Sequence, residues 1–193
     1  MTDRRELPVA EAPDGELPIE RALAGDPAAF EELVRRLQGP AWALARRIVR
    51  DRETAFEMVQ EAFLKVHVHR AAFIAGQPFE PWFYRILANL CLNAARRSRL
   101  RELPSDPSEL GRTAAAKEPS PQHAVESREL DRKLAIAFDR LPPRYRAAMA
   151  LRVDAGFSVE QIAQALDCPA GTVKTLLFRA RELMRAWSDG GRP

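Results

Sequence analysis

The chain has 193 residues, 46% hydrophobic and 30% charged, which suits one domain of ordinary size or two small ones with a soluble surface. It has no run of 18 apolar residues and no apolar segment near its acidic start, which argues against a membrane span and a secretory signal and favours the cytoplasm. The net charge of +3 is uneven, with −3 in each of residues 1–16 and 102–126 and +9 elsewhere, which indicates two basic segments able to contact a polyanion.

The composition divides the chain into four parts. Residues 1–16 are predicted to be a disordered N-terminal segment, and residues 17–101 a helical unit. Residues 102–126 contain four prolines and no sustained apolar periodicity, which predicts a flexible linker. Residues 127–188 form a second helical unit. Because neither unit alternates like a strand, we expect an all-α fold of two small helical domains.

The first helix of the first unit has a clear start signal. Asp26 is a plausible N-cap, and Pro27 occupies the first helical position, where proline is well tolerated. Pro40 is expected to end this helix and to precede a second one. That second helix would turn three apolar side chains inward: Trp42, Leu44 and Ile48.

Two further helices complete the first unit. The segment "ETAFEMVQEAFLKVHVHR" has apolar residues at i, i+3, i+7 and i+10, which predicts a helix with four inward side chains: Phe56, Val59, Phe63 and Val66. Gly76 and Pro78 then break the pattern. The last helix opens near Pro81, where Trp82 and Phe83 read as core, and it ends in four arginines: Arg96, Arg97, Arg99 and Arg101.

The second unit ends in a helix-turn-helix pattern. One helix stops at Pro142 and Pro143, and the next ends at Gly156. The short segment "SVEQIAQAL" has Ser158 and Gln161 at the spacing of a capping box. The turn "DCP" and a longer helix follow it. A short helix, a tight turn and a longer helix are typical of helix-turn-helix proteins that bind DNA.

The longer helix, within "CPAGTVKTLLFRARELMRAW", has two distinct faces. At 100° per residue, one apolar stripe collects Val173, Leu177, Ala180, Leu183, Met184 and Trp187. Leu176 widens that stripe. The opposite side carries Lys174, Thr175, Phe178 and Arg179.

That opposite side has the chemistry of a base-reading surface. Lysine and arginine donate to guanine, and a phenylalanine packs on a thymine methyl group. The second helix of a helix-turn-helix places such residues in the major groove. Arg181 and Arg185 lie further along the helix, where they suit contacts to DNA phosphates. Thr172, at the start of the helix, is a further candidate for contact with DNA. The alternative is a solvated helix with one stray exposed aromatic.

Several stretches together resemble bacterial extracytoplasmic-function (ECF) sigma factors of the sigma-70 family. Residues 141–185, "LPPRYRAAMALRVDAGFSVEQIAQALDCPAGTVKTLLFRARELMR", resemble the domain that binds the promoter −35 element. "MVQEAFLKV" and "PFEPWFYRILANLCLNAARR" resemble the domain that binds core RNA polymerase and the −10 element. The resemblance implies that residues 17–101 are sigma region 2 and residues 127–188 sigma region 4.

The resemblance also implies roles for residues of the first unit. Glu57, Gln60 and Glu61 match positions that dock on the β′ clamp helices of polymerase; the alternative is a solvated face. The loop of about residues 72–80 would capture an unstacked base of the −10 strand. The residues implied to contact the −10 DNA are Phe73 in this loop and, in the helix that follows, Asn89, Asn93, Arg96 and Arg97. The alternative for Phe73 is a core residue that closes the loop.

The implied function has no chemistry of its own. The resemblance predicts binding to core polymerase (β′ clamp helices and β flap), recognition of the −35 and −10 elements of promoter DNA, promoter melting, and restraint by an anti-sigma factor. No catalytic residue, metal or cofactor is predicted, because no paired metal ligands, glycine-rich phosphate loop or nucleophile motif occurs. Cys91 and Cys168 read as reduced small hydrophobes. The alternatives are a helix-turn-helix regulator that acts without polymerase and, less plausibly, an enzyme.

Overall fold

A computed structural model describes residues 18–101 and 125–188, so the predicted segment 1–16 and most of the predicted linker lie outside the described residues. In the described part, the fold is all-α, as predicted, with no strand. The helices are α1 (Ile19–Leu23), α2 (Pro27–Val49), α3 (Arg52–Val68), a single turn of 3-10 helix (Arg70–Ala72), α4 (Phe79–Arg101), α5 (Val125–Arg140), α6 (Pro143–Val153), α7 (Val159–Ala165) and α8 (Ala170–Ser188). None of these described helices combines the length and apolar character needed to cross a bilayer.

Helix α2 begins as predicted but does not end at Pro40. The Asp26 carboxylate accepts hydrogen bonds from the backbone N–H groups of Ala28 and Ala29, at 3.0 and 3.2 Å. The prediction of a second helix after Pro40 is wrong, because α2 continues through it to Val49. Pro40 is exposed, and α2 keeps one buried stripe that runs past it: Leu33, Leu37, Ala41, Leu44, Ala45 and Ile48. Burial of this stripe offsets an interior proline's cost of about 3 kcal/mol.

The inward face of α2 follows the prediction, with Trp42 packed against the core, whereas that of α3 differs at one aromatic residue. Leu44 and Ile48 are buried, whereas Trp42 is half-buried, with the guanidinium groups of Arg46 and Arg52 each 5.9 Å from its ring. Phe56, predicted to point inward, is 43% exposed. The buried stripe of α3 is instead Ala55, Met58, Val59, Ala62, Phe63 and Val66. Phe56 lies about 60° from Val59 around the helix and falls outside that stripe.

The helix-turn-helix forms as predicted. The Ser158 hydroxyl accepts a hydrogen bond from the Gln161 backbone N–H, and the Gln161 side chain accepts one from the Ser158 N–H, so the capping box is complete. Gly156 has a φ of +67°, which glycine adopts without strain. Asp167, at φ +49°, begins the turn between α7 and α8, and aspartate tolerates this left-handed backbone.

The two halves of the chain pack against each other. Helix α6 lies against α2, and α7 lies against α4, so one continuous hydrophobic core includes residues of both halves. Phe83 is fully buried in that core, as predicted, and Trp82 is half-buried against it. Cys91 is a buried free thiol, and burial raises its pKa to about 12. It therefore packs as an inert apolar group.

Candidate nucleic-acid interface

The inner face of α8 anchors the helix to the rest of the chain. Val173, Leu177 and Ala180 are buried, and Leu176 is buried beside them, as predicted. The last turns of the helix are less enclosed, because three residues of the stripe are half-buried: Leu183, Met184 and Trp187. Fixing one side of α8 in this way sets the direction in which the other side points.

The outer face of α8 presents every predicted base-reading side chain to solvent. Those residues are Thr172, Lys174, Thr175, Phe178 and Arg179, and the predicted phosphate partners Arg181 and Arg185 are exposed as well. Phe178 is 58% exposed, which is unusual for a ring of this size. Arg179 forms an ion pair with Glu182, at 3.2 Å, and solvent screens that pair. The Arg179 guanidinium therefore remains accessible to a stronger partner.

In addition to Glu182, an acidic group of α7 lies close to this surface. Glu160, in the first turn of α7, has a carboxyl pKa held below its usual range by a hydrogen bond from its own backbone N–H, a second from the Ser158 hydroxyl and a smaller contribution from Lys174. Lys174 thus lies within electrostatic range of one carboxylate. The surrounding outer face of α8 keeps its basic character.

Phe73 lies in an aromatic cluster at the start of the loop before α4. Its ring contacts Phe79 and Trp82 edge-on, with centroids 5.8 and 5.2 Å apart, and it is half-buried. Phe79 in turn stacks on Phe83 at 6.1 Å, so the loop is held by core rings. Part of Phe73 therefore remains accessible to solvent. Ile74, next to it, is 64% exposed.

The structure brings the predicted polar residues of α4 onto one exposed stripe. Asn89, Asn93, Arg96 and Arg97 are all exposed. They lie at i, i+4, i+7 and i+8, which is one face of a helix. Two amides followed by two guanidinium groups suit hydrogen bonds to base edges and then to phosphates.

The outward face of α3 is more apolar than its three predicted polymerase contacts indicate. Glu57 and Gln60 are exposed, and Glu61 is half-exposed in an ion pair with Lys65, at 3.5 Å. Leu64 and Val68, each 61% exposed, lie on the same side of the helix, and Phe56 is 43% exposed. The helical positions of Leu64 and Val68, opposite the buried stripe, could have revealed this pattern. Adjacent exposed apolar side chains are typical of a protein-binding surface.

Comparison with known proteins identifies two family domains in the chain. The family model for sigma-70 region 2 matches residues 33–101, and that for sigma-70 region 4 matches residues 132–184. The RNA polymerase sigma-H factor of Pseudomonas aeruginosa is 34% identical over 170 residues, covering 85% of this chain and 88% of the relative. The ECF RNA polymerase sigma-E factor of Escherichia coli is 35% identical over 170 residues, with the same coverage of 85% and 88%.

Two solved structures share the fold. The chain resembles CnrH, determined in complex with the cytosolic domain of CnrY, with a TM-score of 0.63 and 21% identity, covering 91% of this chain and 97% of that one. It also resembles the sigma factor RpoE of Bartonella quintana, determined with the anti-sigma factor NepR, with a TM-score of 0.61 and 23% identity, covering 84% and 98%. Both family models and the identity over most of the chain lead to one conclusion: the protein belongs to the ECF sigma factors of the sigma-70 family.

Proposed function

We propose that this chain binds core RNA polymerase in the cytoplasm, reads the duplex −35 element with α8 and stabilises the melted −10 strand with α4 and the loop before it. The observation that carries the proposal is the outer face of α8. Its Phe178 and Arg179 are exposed, while a buried stripe and a complete capping box hold the helix-turn-helix in shape. This pairing of a rigid support with an exposed basic and aromatic surface suits major-groove readout.

Melting would be driven by binding energy. Unstacking a base costs a few kcal/mol, which contacts in a pocket must offset. The half-buried ring of Phe73 would provide a stacking surface and the exposed amide of Asn89 a hydrogen bond, and Arg96 and Arg97 would hold phosphates beside them. The protein would need no cofactor, metal or catalytic group for this step, because it changes only the relative stability of paired and unpaired DNA.

The outward face of α3 would dock on the β′ clamp helices of polymerase, and region 4 would contact the β flap. Leu64 and Val68 supply apolar area, and Glu57 and Gln60 supply polar contacts around it. An anti-sigma factor would inactivate the chain by covering parts of both regions. The solved relatives include a sigma factor bound to an anti-sigma factor, which supports this proposal.

Reconstitution with core polymerase tests the proposed function. The full chain, added to core polymerase and a library of promoter fragments, is expected to bind core and to direct transcription from a subset of the fragments. Glu57→Arg should weaken core binding, because it reverses a charge on the α3 face. Glu31→Arg, an exposed glutamate of α2, is the matched control and should have no effect. Tight binding to a duplex without any affinity for core would refute the proposal and favour a polymerase-independent regulator.

A further inference from the structure

We propose that two carboxylates, Glu160 and Glu182, determine the specificity of the outer face of α8. Each carboxylate is paired with a candidate base-reading cation, Lys174 or Arg179. The pairing cancels the charge of the cation at the range where phosphates attract it, and it leaves N–H groups that can donate to a base. The inference rests on the proposed function and deepens it, because it concerns which duplexes α8 binds.

Arg179 and Glu182 form a direct ion pair on α8. The Nη1 atom of Arg179 donates to Oε2 of Glu182 at 3.2 Å, and the two side chains are 62% and 46% exposed. A guanidinium carries five N–H donors, so a contact through Nη1 leaves donors for O6 and N7 of guanine. Glu182 can therefore orient Arg179 without taking the N–H groups that a bidentate base contact needs.

Glu182 lies in the middle of the outer face of α8. It follows the buried Val173 by nine residues, which places it on the opposite side of the helix. It also lies one helical turn beyond Phe178, the exposed ring of the same face. A duplex that reaches Phe178 and Arg179 therefore brings its phosphates towards this carboxylate, which repels them.

Glu160 stands beside Lys174 from the neighbouring helix, α7. The Ser158 hydroxyl donates to its carboxylate at 3.0 Å and accepts a hydrogen bond from the Gln161 N–H, so the capping box helps to fix the carboxylate in place. The pKa of the carboxyl is lowered first by its own backbone N–H and the Ser158 hydroxyl, and then by attraction to Lys174 and Arg152. Glu160 is therefore ionised at neutral pH and within electrostatic range of Lys174.

The two pairs affect phosphate contacts and base contacts differently. Attraction to phosphates depends on net charge and on the release of counterions, and it is the same for every sequence. A base contact depends on directed hydrogen bonds at short range. A neutralised cation loses most of the first term and keeps the second, while Arg181 and Arg185 still supply phosphate contacts. The carboxylates thus weaken binding to unrelated DNA more than binding to the sequence that α8 reads.

Binding measurements with neutral variants test the charge effect. The unaltered full chain selects a preferred duplex from a random library, and fluorescence anisotropy compares this duplex with a scrambled one. Glu160→Gln and Glu182→Gln should each raise affinity for the scrambled duplex about two- to fivefold, as expected for an exposed ion pair, and raise that for the selected duplex by less. The slope of log K against log salt for the scrambled duplex should become more negative by about 0.9 for each cation released.

Glu31→Gln is the matched control for these variants. It removes an exposed carboxylate of α2 and changes the net charge of the chain by the same amount. It should change neither affinity nor the salt dependence, because the effect belongs to the outer face of α8 and not to the total charge.

Glu182→Ala tests the orientation of Arg179. This variant removes both the charge and the acceptor, so it should relax base preference at the same base pair as Arg179→Ala and at no other. Glu182→Gln keeps an acceptor oxygen and should preserve the preference at that base pair. Loss of folding would instead flatten the preference at every position of the duplex.

The possible outcomes separate the inference from the proposed function. Equal gains on the two duplexes, or a base preference in Glu182→Ala identical to that of the unaltered chain, would overturn the inference. If the unaltered chain selects no sequence, the proposed reading of the −35 duplex fails, and the inference falls with it. If a sequence is selected and Arg179→Ala relaxes it, the proposed reading stands whatever the glutamate variants do.

Discussion

Phe178 and Arg179 are the side chains of α8 whose removal tests base readout most directly. Both are exposed on the side opposite the buried stripe, so their truncation leaves the core of the helix-turn-helix intact. We predict that Phe178→Ala or Arg179→Ala weakens binding to a −35 duplex by about 1–3 kcal/mol for each lost base contact. Fluorescence anisotropy with matched and mismatched duplexes measures this change.

The control for these variants is Arg35→Ala, which removes an exposed arginine of α2. It should leave both affinity and sequence preference unchanged. If Phe178→Ala and Arg179→Ala also leave them unchanged, the outer face of α8 does not read bases.

Asn89 separates the melting step from duplex binding. It is exposed on α4, where its amide has no part in the buried core. We expect Asn89→Ala to reduce open-complex formation with polymerase, measured by permanganate reactivity of the −10 strand, while −35 duplex binding stays intact. Phe73→Ala should do the same, but Phe73 also packs on Phe79 and Trp82. An equal loss of both activities in either variant would mean that the residue serves folding.

Local sequence patterns predicted individual elements well. The N-cap at Asp26, the capping box at Ser158 and the division of α8 into two faces follow from residues within one or two helical turns of each other. Pro40 and Phe56 were predicted wrongly, because their environments depend on neighbours that are distant in sequence. A helix can continue through a proline when the residues before and after the proline bury enough apolar surface. The partners for that burial are other helices, which lie far away in the sequence.

The uninterrupted α2 leads to a stability prediction. Replacing Pro40, whose ring is exposed, by alanine restores a backbone N–H able to bond to the Arg36 carbonyl and relieves the steric conflict of an interior proline. We expect Pro40→Ala to raise the free energy of unfolding by about 1–3 kcal/mol, measured by urea denaturation. The gain is limited because proline also restricts the unfolded chain.

Gly39→Ala is the companion variant for α2. A Cβ atom at Gly39 would meet nothing within 4 Å, so the substitution should add about 0.5–1 kcal/mol through helix propensity alone. A Pro40→Ala gain no larger than that of Gly39→Ala would mean that α2 accommodates the proline without strain. A loss of stability would show that the ring makes a necessary contact.

At the scale of the whole molecule, the two halves share one core. The sequence indicated two separate helical units, and nothing local could predict their packing, because its contacts join residues such as Ile48 and Arg146 that are 98 positions apart. The pairing of buried aromatic rings across the halves predicts cooperative unfolding. Calorimetry of the full chain should show one transition rather than two.

A double-mutant cycle tests that cooperativity. Tyr84→Ala and Phe157→Ala remove the two rings that meet at 5.3 Å. We expect a coupling energy of about 0.5–1.5 kcal/mol from urea denaturation of the single and double variants. Tyr84→Ala combined with Trp187→Ala, a half-buried ring of α8, should be additive. A coupling near zero for the first pair would show that these two rings do not link the halves.

The hydroxyl of Thr175 restricts what this position of α8 can recognise. Its single proton is donated to the carbonyl of Gly171, one helical turn earlier, at 3.1 Å. The oxygen can then act only as an acceptor, so its partner must be an exocyclic amino group, N4 of cytosine or N6 of adenine, and not the O6 of guanine or the O4 of thymine. Thr175→Val, which keeps the shape and removes the acceptor, should abolish any preference for amino-bearing bases at that one position of the duplex.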